Sequence, residues 1–124
     1  MDITPIIPSG LKVIRGYGNN SFKINDEEYS HSIVVFQNFV TAWDVKNIGD
    51  ITHESLFEIL NQPNDIELLL IGCGETHSPL PSLVFNLATK HKINVEIMTT
   101  GAACRTYNVL LAEGRKVAAA LLLV

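Results

Sequence analysis

Two short stretches hold most of the compact polar and nucleophilic side chains of this sequence. One is Gly72-Cys73-Gly74-Glu75-Thr76-His77; the other is Thr99-Thr100-Gly101-Ala102, with Cys104 and Arg105 just beyond it. The first carries the inventory for acyl or phosphoryl transfer, with Cys73 as nucleophile, His77 as its base and Glu75 orienting the base. A cysteine between two glycines also suits a small buried residue at a tight turn, and that reading is preferred. In the second stretch, the helix opening at Gly101 offers unpaired N–H groups and a positive dipole end. A small anion could rest there with Arg105 one turn in. The plainer alternative is that Thr99 or Thr100 only caps the helix and Arg105 pairs with Glu96 or Glu113.

Other chemistries lack their residues. Gly72-Cys73-Gly74 matches only the first half of a dinucleotide fingerprint, because His77 stands at the next glycine position. No Gly-rich phosphate loop ending in Gly-Lys-Ser/Thr is present. His31, His53 and His91 are dispersed, so no metal set is expected. Cys73 and Cys104 have neither a C-x-x-C nor a zinc spacing, and no disulfide is assigned to them. No cofactor is expected.

The elements that must position the two stretches follow from hydrophobic period. Residues 66–71 form a near-continuous apolar run ending at Gly72, as in a central strand covered on both faces. A helix is expected over 80–91, with Leu80, Leu83, Val84, Leu87 and Ala88 on one face, prolines 79 and 81 at its start and Lys90, His91 and Lys92 at its end. Alternation over 93–98 predicts a strand. A helix over 102–113 follows, carrying Ala103, Tyr107, Leu110 and Leu111 inward and closed by Gly114, and then a strand over 117–123. This order implies a β-α-β-α-β unit with a mainly parallel sheet, in which the two stretches share the carboxyl edge of neighbouring strands. A short helix capped by Thr52 and ended by Pro63, with Leu56, Ile59 and Leu60 inward, precedes the unit.

Earlier in the chain, residues 11–17, 21–24, 32–37 and 41–45 read as antiparallel strands separated by Gly18-Asn19-Asn20 and Asn25-Asp26-Glu27 turns. Trp43 is expected to pack between the two halves. Residues 1–10 read as an extended lead-in. The fold class is therefore α/β: one domain over 1–124, with an antiparallel N-terminal β region and the C-terminal β-α-β-α-β unit.

A chain of 124 residues, 47% hydrophobic and 18% charged, is too apolar for disorder and long enough for one core. Its longest apolar stretch, residues 117–124, falls short of the roughly 20 needed to span a bilayer as a helix. Net charge is −4 with nine scattered basic residues, so nucleic acid is not an expected partner. The opening Met1-Asp2-Ile3-Thr4-Pro5 lacks the features of a signal or transit peptide, and a cytoplasmic location is expected.

The run from Asn94 to Leu110, with Glu96-x-Met98-x-Thr100 and Arg105-Thr106-Tyr107-Asn108, and then Glu113-Gly114-Arg115, closely resembles the signature of a small uncharacterised domain family. That family includes the mitochondrial complex I assembly factor 3 proteins and bacterial homologues. Gly16-Tyr17-Gly18, Trp43 and Gly72-x-Gly74 extend the resemblance over nearly the whole chain. It implies a three-layer domain with a mixed central sheet and without established catalytic activity, and a protein partner, with respiratory complex I subunits or assembly factors as the expectation. The candidate ligand- or partner-binding residues are Gly72, Cys73, Gly74, Thr99, Thr100, Gly101 and Arg105; none is assigned a catalytic or metal-binding role. The alternative is a small enzyme or sensor holding an anionic metabolite at Gly101 to Arg105.

Overall fold

The computed structural model describes residues 10–61 and 66–124. The expected stop at Pro63 and all of the lead-in except Gly10 lie outside the described residues. Two strands, β1 (Ile14–Gly18) and β2 (Ser21–Ile24), are joined by Asn19-Asn20. Both asparagines have positive φ, 54° and 60°, the mirror-image turn whose twist matches a two-residue hairpin. A third strand, β3 (Glu27–Tyr29), pairs with β2 and completes a three-stranded antiparallel sheet. Strands β4 (Ile33–Val35) and β5 (Val40–Ala42) instead enter a second sheet, followed by helix α1 (His53–Leu60).

The C-terminal half then runs β6 (Leu68–Gly72), α2 (Ser82–Lys90), β7 (Asn94–Met98), α3 (Thr100–Ala112) and β8 (Val117–Leu121). The five-stranded sheet has the order β5-β4-β8-β6-β7; β6 lies parallel to both β7 and β8, and β4 is antiparallel to β8. The parallel unit and the mixed sheet agree with the sequence reading. The N-terminal half corrects it. The expected antiparallel region is divided between two sheets, and Glu27, expected in a turn, begins β3. Trp43 falls just past β5, buried, with its indole N–H donating to the Ser55 carbonyl of α1 at 3.1 Å.

Alternation within the central strands sorts side chains between two cores. Leu70, Ala119, Leu121, Ile33 and Val35 face α3 and the small sheet, whereas Leu69, Ile71, Ala118, Ala120 and Val34 face α1 and α2. The molecule is therefore layered as helices, sheet, then α3 with the small sheet. Each fully buried Leu or Ile contributes about 1.5–3 kcal/mol. The three consecutive alanines of β8 leave room for layers to approach from both sides.

Local chemistry sets the helix ends. Thr52 accepts from the Ser55 N–H at 3.2 Å and starts α1. α2 begins at Ser82 rather than Leu80, because Pro81 is extended (ψ 140°) and serves as its N-cap. α3 begins two residues before the expected Ala102, since Thr99, not Thr100, is the cap. Gly114, at φ 78°, follows its last turn.

Candidate functional site

At the carboxyl edge of β6 and β7 the two predicted loops meet. Thr100 joins them: its N–H donates to the Gly74 carbonyl at 2.9 Å, and its hydroxyl accepts from the Gly74 N–H at 3.0 Å while donating to the Leu122 carbonyl at 2.8 Å. The side chain is fully buried. Gly72 explains how the backbones come so close. A Cβ there would stand 2.9 Å from the Thr100 Cα, a contact that only glycine avoids. Thr99 accepts from the Ala102 N–H at 3.4 Å and caps α3.

Above these loops lies a cleft of about 350 Å³, with Gly74, Glu75, Thr99 and Gly101 on one side and Tyr17, Gly18 and Asn19 of the β1–β2 hairpin on the other. Tyr17 lies over the start of α3, so that a Cβ on Gly101 would sit 2.9 Å from its ring. Arg105, exposed one turn along α3, donates to the Tyr17 hydroxyl rather than pairing with Glu96 or Glu113. Of the predicted residues, then, Gly74, Thr99 and Gly101 line the cleft. Gly72, Cys73 and Thr100 are buried, and Arg105 braces Tyr17 from outside. The opposing hairpin wall was not foreseen: local pattern gave a strand up to Tyr17 and a turn at Gly18-Asn19-Asn20, without placing either against the start of α3.

The geometry narrows what this edge can do. The Cys73 thiol is buried and donates to the Thr76 carbonyl at 3.3 Å, while His77 is exposed, so the nucleophile is not joined to its proposed base. At the start of α3, the N–H groups of Thr100, Ala102 and Ala103 donate to Gly74 O, Thr99 Oγ1 and Thr99 O. An anion would meet few of the donors a helix N-terminus ordinarily offers, and Glu75 adds negative charge to the cleft wall. Cys104 is wholly buried; burial pushes its thiol up to about 12, against the lowering effect of the Arg105 charge. A thiol held protonated is a poor nucleophile. Among the described residues, no group of three or more His, Cys, Asp or Glu gathers as a metal site.

Tyr107 and Asn108 of the signature have structural partners instead. The Tyr107 hydroxyl hydrogen is shared between the carbonyls of Lys12 and Phe36, at 2.9 and 3.2 Å, and burial pushes the phenol pKa upward. Asn108, 4% exposed, accepts from the Ile14 N–H at 3.1 Å and donates to the Ile14 carbonyl at 2.7 Å. Its amide thus pairs with β1 as a neighbouring strand would. Arg105 and Asn108 clamp β1 of the small sheet onto α3, and Tyr107 adds the backbone just before β1, at Lys12, and just after β4, at Phe36.

The family described as "Protein of unknown function (DUF498/DUF598)" matches residues 14–122. The chain belongs to that family. The DUF498/DUF598 match includes every clamp residue and both loops. One relative is the NADH dehydrogenase [ubiquinone] 1 alpha subcomplex assembly factor 3 of Drosophila melanogaster, 38% identical over 114 residues; the match covers 89% of this chain but only 58% of the relative. The chain thus spans less than two-thirds of that assembly factor. Among solved structures, an outer membrane protein from Bartonella henselae superposes with a TM-score of 0.85 at 37% identity, covering 93% of this chain and 97% of the other. A Mth938-like domain protein from Bordetella pertussis gives 0.81 at 29% identity, covering 98% and 92%. These likenesses agree with the fold and the family resemblance read from the sequence. No helix among the described residues is long and apolar enough to cross a membrane.

Proposed function

We propose that this chain is a non-enzymatic binding or assembly protein that engages another protein through the loop edge at the ends of β6 and β7. The observation that carries the reading is the engagement of the chemistry-bearing side chains within the fold: Cys73 with Thr76, Thr100 with Gly74 and Leu122, Arg105 with Tyr17. What remains accessible is a shallow cleft framed by Tyr17, Asn19, Glu75 and Thr99, a surface for recognition. The similarity to complex I assembly factor 3 supports respiratory NADH dehydrogenase subunits or their assembly factors as partners. A cytoplasmic location is part of the proposal, and fractionation of native cells tests it against the outer-membrane description of the Bartonella relative.

The test is quantitative mass spectrometry of proteins recovered with the tagged chain from its own cells, comparing wild type with Glu75→Arg. Glu75 is exposed and lines the cleft, so the variant changes the surface and leaves the core intact. Respiratory-chain subunits enriched with wild type and depleted with Glu75→Arg are the expected result. Equal recovery in both would remove the loop edge as the docking surface. Steady turnover by the purified protein, lost in Cys73→Ser, would overturn the non-enzymatic reading.

A further inference from the structure

The β7 edge of the main sheet carries an observation separate from the loop edge. Among the described residues, β7 is terminal in the strand order and pairs with β6 alone. Asn94 donates its N–H to the Glu67 carbonyl at 3.1 Å, and the Met98 carbonyl accepts from the Cys73 N–H at 2.8 Å. Backbone groups alternate in direction along a parallel strand, so Asn94, Glu96 and Met98 turn theirs toward β6. Val95 and Ile97 turn theirs outward, where no strand among the described residues meets them. Alongside runs a groove of about 500 Å³, flanked by Phe85 and Thr89 of α2 and by Thr106 and Leu110 of α3, with both Glu96 and the cationic Arg115 in its lining. Phe85 is 57% exposed, among the large apolar side chains that the fold leaves in solvent.

Native edges are blunted by very short strands, bulges, covering elements, proline or charged side chains, lysine above all; β7 is five residues long, has neither lysine nor proline, and carries one charge, Glu96. From this we infer that β7 is an acceptor edge that binds an extended segment of another protein as a sixth strand. The inference rests on the reading of the chain as a protein-binding module. It names a second surface, contiguous in sequence with the first, because Thr99 of the cleft directly follows Met98.

The register specifies the occupant. Val95 and Ile97 pack on the α1–α2 side of the sheet and Met98 on the α3 side, so Glu96 also faces α3. The Glu96 carboxylate is exposed and has no partner among the described residues. An added strand would place alternate side chains on each side: apolar ones against Phe85, and a basic one beside Glu96. A second copy fits poorly. Antiparallel self-pairing that satisfies both Val95 and Ile97 centres its two-fold axis on Glu96 and sets the two carboxylates directly opposite at about 4.5 Å between Cα atoms.

Replacing Phe85 by a photo-crosslinking phenylalanine analogue in native cells tests this, with the analogue at Phe57 of α1, also exposed, as the control site. The crosslinked peptide is sequenced by mass spectrometry. The expected result is an adduct at position 85, absent at 57, to a segment that alternates apolar and basic residues in a different protein. Glu96→Lys should lower its yield at least tenfold. Val95→Pro, which deletes an outward N–H on an edge strand that tolerates proline, should do the same. A lysine-to-glutamate change in the partner segment should restore the yield with Glu96→Lys. An adduct to a second copy of this chain would overturn the heterologous occupant. No adduct at position 85 while partners are still recovered through the loop edge would sink the β7 inference alone; loss of recovery at both surfaces would sink the binding reading as well.

Discussion

Asn108→Leu removes the amide that pairs with β1 and keeps the branched side-chain shape at slightly larger volume. Ile14 is fully buried, so its N–H and carbonyl, now held at 3.1 and 2.7 Å, would lose their partners where water cannot replace them. Each buried group left unsatisfied costs about 1–3 kcal/mol, and the added apolar contact of leucine offsets part of that. A net loss of about 3 kcal/mol is expected, which for a chain of this length lowers Tm by roughly 12 °C. Urea unfolding followed by circular dichroism, and by emission of the single, buried Trp43, measures it. Trp43 sits in the core on the opposite side of the sheet, so coincidence of the two transitions also tests whether the layers unfold together. Asn108→Asp is the informative companion. It keeps an oxygen for the Ile14 N–H but turns another toward the Ile14 carbonyl, so it should lose at least as much stability at pH 7. Burial should raise that carboxyl pKa in the folded state, giving a contribution present at low pH and lost as pH rises through the folded value. Partial recovery of stability near pH 4 is therefore expected. A loss below about 1 kcal/mol for Asn108→Leu would refute the clamp.

Gly72→Ala should cost about 1–3 kcal/mol in urea unfolding, because its Cβ would meet the Thr100 Cα at 2.9 Å, while Gly49→Ala, with nothing within 4 Å, should change little. Ala119→Leu, buried between β6 and β4 and facing α3, should cost about 3 kcal/mol by overpacking, or abolish soluble expression. The neutral Cys104 thiol contributes stability that is fully present below pH 9 and lost as pH rises toward 12, at up to ~1.4 kcal/mol per pH unit. Unfolding midpoints measured across that range should fall less steeply in Cys104→Ala than in wild type, and parallel slopes would refute the assignment.

Much of the C-terminal unit was legible because its signals are local. The caps Thr52 and Thr99 and the helix stop at Gly114 act on residues within a turn of themselves. The apolar run ending at Gly72 and the alternation before Thr99 identified neighbouring parallel strands, and from those followed the meeting of the two loops. The errors came where partners are remote. Short polar segments such as Glu27–Tyr29 have no distinctive period, and nothing near residues 14–29 indicates that those strands form their own sheet while Ile33–Val35 joins β8.

The sequence by itself determined the element types of the C-terminal half, the α/β class and the edge where the loops gather, because periodicity and capping are properties of adjacent residues. Only the tertiary structure decided that Tyr17 forms the far wall of the cleft, that Arg105, Tyr107 and Asn108 act as a clamp, and that no described strand meets Val95 and Ile97. Those facts depend on which segments meet across long loops. Asn108 and Ile14 are 94 positions apart, and such a contact is selected by the packing of whole layers rather than by any pattern within one segment.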